Sequence, residues 1–144
     1  MKKLSLISLL PQILCSHKEW FTSKGKEGIF ADLSEEDLRE GNFKQCTLVE
    51  ANLQAANLQF ADFTDADLRG ANLQEAQLKG AILVNANFEE TDLMWANLQG
   101  ANLEKTRLDG AYLHGANLKD TGIKPSQIEL AYTDEDTQLP GNIT

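Results

Sequence analysis

Residues 51–75 read ANLQA ANLQF ADFTD ADLRG ANLQE, five units of five residues in one register. The same register extends from Ala31 to Leu130 and gives 20 consecutive units. The third residue of every unit is Leu, Phe or Ile, the first is Ala in 13 units, and the second is Asn or Asp in 13 units. Self-similarity at a fixed period predicts a structure built by stacking one small unit.

A period of five residues fits neither a helix nor a continuous strand. Five residues advance a helix by about 140° beyond one turn, and on a strand they move the side chain to the opposite face. The chain must therefore turn once in every unit. The first and third residues of a unit, two apart, then point to the same side. We expect both to point inward, because the first is small and the third is large and apolar.

Four such corners close one coil of 20 residues, so the repeat predicts about five coils. Asn and Asp at the second position suit corners, since their side chains hydrogen-bond the nearby backbone. Residues 20 apart stack, which places Phe43 on Phe63 and Leu73 between Leu53 and Leu93. The predicted core comprises Leu33, Phe43, Leu53, Phe63, Leu73, Leu83, Phe88, Leu93, Leu103 and Leu113.

An uninterrupted Ala-Asn/Asp-Leu-x-x pattern resembles the pentapeptide-repeat family, and the chain is similar to its short, single-domain cyanobacterial members. The resemblance covers 100 of the 144 residues. It implies an all-β solenoid, the right-handed quadrilateral β-helix or repeated five-residues fold, with short α-helical caps at both ends. The handedness rests on the resemblance alone.

Both flanks of the repeat suit the closing of open solenoid ends. We predict one domain with three parts, an N-terminal helical cap at 1–30, the β-helix at 31–130, and a C-terminal cap and tail at 131–144. The first helix is expected to begin at Pro11 and to end near Gly25. Its predicted apolar stripe is Leu10, Ile13, Leu14, Trp20 and Phe21. A second, short helix is expected over 127–131, capped by Ser126.

The N-terminus also has the outline of a secretory signal, because Lys2 and Lys3 precede an apolar run. The run lacks a small-residue cleavage site, and Pro11 interrupts it. We therefore expect a cytoplasmic protein, with the periplasm or thylakoid lumen as the alternative. Whether residues 1–16 form a cap or a targeting segment stays open.

Composition limits the classes of function. The net charge of −9 and the pI near 4.6 oppose bulk attraction to nucleic acid or to anionic membranes, and favour a basic partner surface. Cys15 and Cys46 lack the spacing of a metal cluster and are interpreted as buried thiols. His17 and His114 suggest no catalytic dyad. No enzymatic activity, cofactor or metal is expected.

Two surface features are candidates for function. Met94, Trp95, Tyr112 and His114 fall together on one side of the coil and form the predicted partner-binding site, although Trp95 lying flat over the Gly115 corner would be packing alone. The second feature is acidic. The side that begins with Asp32 carries four acids and no base, and the fourth side carries six acids and two arginines, so the two sides hold −8 together.

The leading hypothesis is a non-catalytic scaffold or protein-interaction module, monomeric, of unknown pathway. The family resemblance supplies the alternative, because some pentapeptide-repeat proteins mimic DNA and bind type II topoisomerases. An acidic DNA mimic would bind DNA gyrase or another DNA-binding protein. Over the roughly 24 Å of five coils, duplex DNA carries about 14 phosphate charges, more than the −8 of the two acidic sides. A structural filler without a partner is the third reading.

Overall fold

The computed structural model of the protein describes residues 5–141 and 143. Its main body is a coil in which parallel β-bridges join residues 20 apart, from Asp32 with Asn52 to Asn97 with Asn117. Within each repeat only the second residue makes a bridge, and turns flank it. The predicted 20-residue coil is therefore confirmed, and each of its sides is an isolated bridge rather than an extended strand. We number the sides by their first units: face 1 (31–35), face 2 (36–40), face 3 (41–45) and face 4 (46–50).

The first and third residues of the coil units fill the interior, except Glu36, a first residue near the N-terminal rim that is exposed. Each of the ten side chains predicted for the core is no more than 1% exposed. Phe43 and Phe63 stack with ring centroids 4.5 Å apart and ring planes within 7° of parallel. Where a threonine replaces the inward alanine, its hydroxyl is satisfied internally; Thr91, for example, donates to the carbonyl oxygen of Leu68 at 2.7 Å. The tube is thus closed and apolar.

Two features form the corners. The fifth residue of every unit from 35 to 120 has a left-handed backbone, with φ between 54° and 69°. All 13 Asn and Asp side chains at the second position accept a hydrogen bond from the backbone N–H two residues later; the Asn72 bond to Gln74 measures 3.0 Å. A left-handed non-glycine residue costs about 1–2 kcal/mol, which the repeated hydrogen bonds offset.

Helix α1, Leu6–Thr22, packs at the N-terminal end of the coil. The prediction that it begins at Pro11 is wrong, because Ser5 caps the helix and accepts the Ile7 N–H at 3.2 Å, which leaves Pro11 inside it. A proline in a helix removes one backbone hydrogen bond. Burial offsets this cost, since Leu10 is only 2% exposed within the core cluster. Neither described helix is long and apolar enough to cross a membrane, and Lys2 and Lys3 lie outside the described residues.

His17 joins α1 to the first coil. It is fully buried; its Nδ1 accepts the Ala31 N–H at 3.0 Å, and its Nε2 lies 2.9 Å from the carbonyl oxygen of Val49. An N–H can only donate, so Nδ1 must be unprotonated and Nε2 must carry the proton. The ring stacks on Trp20 at 5.5 Å and meets Phe30 edge-on at 5.7 Å. The structure thus gives His17 a structural role that the sequence did not indicate.

The C-terminal end differs from the prediction. Helix α2 is Pro125–Ile128, so the expected helix over 127–131 with a Ser126 cap is wrong, and the twentieth unit is not a side of the coil. Pro125 favours this outcome because proline has a fixed negative φ, which cannot form the left-handed corner of a fifth residue but suits the first turn of a helix. The Gln127 side chain donates to the carbonyl oxygens of Leu103 at 2.7 Å and Thr106 at 3.1 Å.

Beyond α2 the chain returns to the coil. Tyr132 forms a parallel bridge with Tyr112 on face 1, and Gln138 forms one with Asn117 on face 2. The segment assigned to the C-terminal cap and tail therefore adds two further bridged positions. This return places a second tyrosine beside Tyr112.

Candidate functional site

An exposed group of aromatic side chains lies on face 1, and we call Met94, Trp95, Tyr112, His114 and Tyr132 the aromatic patch. Trp95 is 58% exposed, Tyr112 42% and Tyr132 53%. The Tyr112 ring stacks on Tyr132 at 5.1 Å and lies 6.4 Å from the His114 ring. Met94 and His114 are half-buried. Of the four residues predicted from the sequence, Tyr112 and His114 lie ring to ring, and Trp95 lies over Gly115 on the same face. The structure adds Tyr132, which the sequence missed because its tail was not expected to pair.

Trp95 occupies a corner, with φ of 60°. Its ring lies over Gly115 of the next coil, where a Cβ would come within 2.2 Å of the ring's Cε3. Phe60 repeats this arrangement over Gly80 on another corner and is 57% exposed. A large ring at a corner thus requires a glycine one coil later. One side of the Trp95 ring therefore packs against the Gly115 corner, and the rest of the side chain is exposed to solvent.

The surroundings of the aromatic patch are acidic. The units of face 1, together with 131–135, contain no Lys or Arg. Their acidic residues are Asp32, Glu35, Glu75, Asp92, Asp134 and Glu135. The Gly115 N–H donates to Asp134 at 3.0 Å, and this hydrogen bond is the main cause of the lowered pKa of Asp134. Face 1 therefore presents exposed aromatic rings among acidic side chains.

A groove of about 730 Å³ runs along the corner between face 4 and face 1. We call it the corner groove; its lining is Phe21, Val49, Glu50, Arg69, Gly70, Glu89, Glu90, Asp109, Gly110, Leu130 and Tyr132. The two arginines of face 4 pair with carboxylates of the same face, Arg69 with Asp67 at 2.7 Å and Arg107 with Glu89. Among the described residues, no basic group lies within ion-pair distance of Glu50 or Glu90.

The two cysteines occupy different surroundings. The interpretation of both as buried thiols is wrong for Cys15, which is exposed on α1, and Cys46 is half-buried. Burial raises the pKa of the Cys46 thiol to about 12, so the thiol stays protonated. A protonated thiol is neither a nucleophile nor a good metal ligand. Within the described ranges, no three His, Cys, Asp or Glu side chains are grouped as a metal site.

Comparisons with known proteins identify the repeat. The family model for pentapeptide repeats matches in eight copies over 31–70, 71–106 and 91–121. HetL, a pentapeptide repeat protein involved in heterocyst differentiation regulation in the cyanobacterium Nostoc sp. strain PCC 7120, is 43% identical, with a TM-score of 0.61. The match covers 61% of this chain and 37% of HetL. No curated protein matches the chain.

Two further solved structures have the same architecture. A pentapeptide repeat protein from the thylakoid lumen of Arabidopsis thaliana is 36% identical, with a TM-score of 0.63, and the match covers 74% of this chain and 81% of that one. A second Nostoc pentapeptide repeat protein, 24% identical with a TM-score of 0.63 over 91% of this chain and 88% of that one, shares the fold. The family model spans more than half of the sequence, and the isolated bridges recur at its period. This chain therefore belongs to the pentapeptide-repeat family.

Proposed function

We propose that the protein is a non-catalytic interaction module, a right-handed four-sided solenoid that presents the aromatic patch to a protein partner. The observation that carries the proposal is the joint exposure of Trp95, Tyr112 and Tyr132 on a face without Lys or Arg. Tyr, Trp and Met are enriched in the cores of protein interfaces. The involvement of HetL in heterocyst differentiation regulation supports a regulatory role rather than a catalytic one.

The repeat does not need the bulk of these side chains. The corner column that contains Trp95 otherwise holds Glu35, Ala55, Glu75 and Gly115. These residues form the same left-handed corner with small or charged side chains. A tryptophan that fills no interior space and remains mostly exposed is better explained by a contact with another molecule.

The N-terminal segment bears on the compartment. Leu10 and His17 of α1 are buried against the coil, so removal of the helix with a signal would uncover the first coil. This packing favours a cap, and we propose the cytoplasm as the location. A monomeric state is proposed for the same reason, since α1 covers one end of the solenoid and α2 with its Gln127 side chain covers carbonyl groups at the other.

The double substitution Trp95→Gln and Tyr112→Asn is expected to abolish partner capture and to leave the fold intact. Gln45 already occupies a corner at φ 58°, and Asn is the commonest second residue of the repeat. The melting temperature should therefore stay within about 4 °C, which corresponds to a change of about 1 kcal/mol or less. Affinity capture with wild-type and variant protein, together with thermal unfolding by circular dichroism, measures both effects.

Phe60→Gln is the matched control for this experiment. Like Trp95, Phe60 is the fifth residue of its unit, has a glycine of the next coil beneath its ring and is mostly exposed. It lies on a different corner. The control should retain the partners that the double variant loses. If the double variant unfolds, the patch is structural; if it folds and captures the same partners, they bind elsewhere.

The acidic DNA mimic remains the second candidate, favoured by the unpaired carboxylates of the corner groove. We expect it to fail, because Arg69 and Arg107 interrupt the acidic surface of face 4. Purified protein should leave DNA gyrase supercoiling unchanged at low micromolar concentration, and charge reversal by Glu89→Lys and Glu90→Lys should make no difference. If the wild type inhibits supercoiling and the charge-reversed variant does not, the DNA mimic becomes the better supported of the two functions.

A further inference from the structure

We infer that the corner groove binds an extended cationic segment in the polyproline II conformation, with an arginine or lysine at every third residue. The segment belongs to a partner chain. This surface lies on a different corner from Trp95 and shares only Tyr132 with the aromatic patch, so the inference goes beyond the proposed role of the patch.

The floor of the corner groove is a column of corner residues in which glutamate alternates with glycine. The successive fifth residues are Glu50, Gly70, Glu90, Gly110 and Leu130. A Cβ at Gly70 would lie 3.7 Å from the Glu50 Cγ, and one at Gly110 would lie 3.4 Å from the Glu90 Cγ. Each glutamate side chain therefore leans over the glycine of the next coil. The glycines leave a shallow trough between carboxylates, about 19 Å long over four coil spacings.

Charge identifies the ligand as cationic. Both arginines of face 4 form ion pairs with carboxylates of the same face. Arg69 pairs with Asp67, and Arg107 pairs with Glu89 and lies 3.8 Å from Asp109. Glu50 and Glu90 make no ion pair among the described residues, although Arg69 lines the same groove and Lys24 lines a neighbouring recess with Glu50. Both glutamates are exposed at the surface. They can accept two cations from a bound segment without breaking an existing ion pair.

Spacing identifies the conformation of the ligand. Glu50 and Glu90 stand two coils apart, about 9.6 Å at the usual separation between stacked strands. A polyproline II helix returns to the same side every three residues, about 9.3 Å along its axis. A β-strand repeats at about 6.6 Å, which does not match. An α-helix is about 10–12 Å across with its side chains, too wide to enter a recess left by a single glycine.

The ends of the trough are apolar. Phe21 of α1 lines one end, and Leu130 and Tyr132 line the other. Tyr132 is held by its stack on Tyr112. Aromatic-lined grooves are the usual docking sites for proline-rich segments, whose conformation is already set before binding. About six residues at 3.1 Å each span the trough, with prolines against the rings and two cations against the glutamates.

The test uses an eight-residue proline peptide that carries two arginines three positions apart, and a second peptide of the same composition with adjacent arginines. Binding to full-length protein is measured by isothermal titration calorimetry at low salt. The spaced peptide should bind about tenfold more tightly than the adjacent one. The variant Glu50→Gln with Glu90→Gln should weaken binding of the spaced peptide by about tenfold, the loss of two exposed ion pairs.

Glu35→Gln with Glu75→Gln is the matched control. These glutamates also occupy fifth positions two coils apart, but Ala55 stands between them instead of glycine, and they lie on another corner. Binding should change by less than about twofold. Equal losses in the two variants would mean diffuse attraction and would overturn the inference, as would equal affinity for the two peptides or no binding by the wild type. Trp95→Gln should keep peptide binding, which separates this result from the test of the aromatic patch.

Discussion

Replacement of Leu73 by Ala is expected to lower the free energy of unfolding by roughly 2–5 kcal/mol. Leu73 is fully buried in the third coil, and the bridges at residues 52, 72 and 92 hold Leu53 and Leu93 on either side of it. The backbone of stacked coils cannot collapse into a cavity without breaking those bridges, so most of the lost packing remains as empty volume. Denaturant titration followed by circular dichroism measures the loss.

Gln54→Ala is the control for this substitution. Gln54 lies on the same face and points outward, and its side chain makes no hydrogen bond within the described residues, whereas Gln74 donates to Asp92 at 2.5 Å. The control should change the free energy of unfolding by no more than about 0.5 kcal/mol. Equal losses at Leu73 and Gln54 would contradict the inward register of the third residue.

His17→Ala is the second substitution with a large expected effect, roughly 2–4 kcal/mol. It leaves the Ala31 N–H and the Val49 carbonyl without their partner and opens a space between Trp20 and Phe30. Thermal unfolding gives the total loss, and hydrogen exchange at the Ala31 amide shows whether α1 detaches. His114→Ala serves as the control, because the buried Nδ1 of His114 has no hydrogen-bond partner among the described residues to lose. Unchanged hydrogen exchange at the Ala31 amide in the His17 variant would contradict the role of His17 in attaching α1 to the coil.

The same contacts make the attachment of α1 depend on pH. Protonation of His17 would remove the acceptor for Ala31, so the folded state requires the neutral ring. Burial lowers the pKa of His17 below 6.5, although its hydrogen bond to Val49 and the nearby Glu50 carboxylate oppose the shift. The contribution of His17 is therefore complete above about pH 6.5 and declines as the pH falls through its lowered pKa. Wild type should lose stability over this interval relative to His17→Leu; parallel pH profiles would contradict the prediction.

Much of the solenoid could be predicted because its repeat uses local rules. The third residue is apolar in every unit and the first is small in every unit except the one that begins with Glu36, so the same two positions can point inward all along the coil. Stacking then follows from the 20-residue coil, and Phe43 and Phe63 meet as the spacing requires. The positions of Trp95 and Tyr112 followed from the same register. Each of these features depends on residues within a unit or 20 positions apart.

The repeat register alone predicts the coil, its core columns and the position of the aromatic patch, whereas contacts between distant segments set both ends of the solenoid. Local signals placed the start of α1 at Pro11, but burial of Leu10 against the coil extends the helix to Leu6. Tyr132 joined the patch only through its bridge to Tyr112. The role of His17 and the apolar ends of the corner groove depend on contacts between the coil and its flanking segments. These contacts follow no period in the sequence, because they join the segments before and after the repeat to the folded coil.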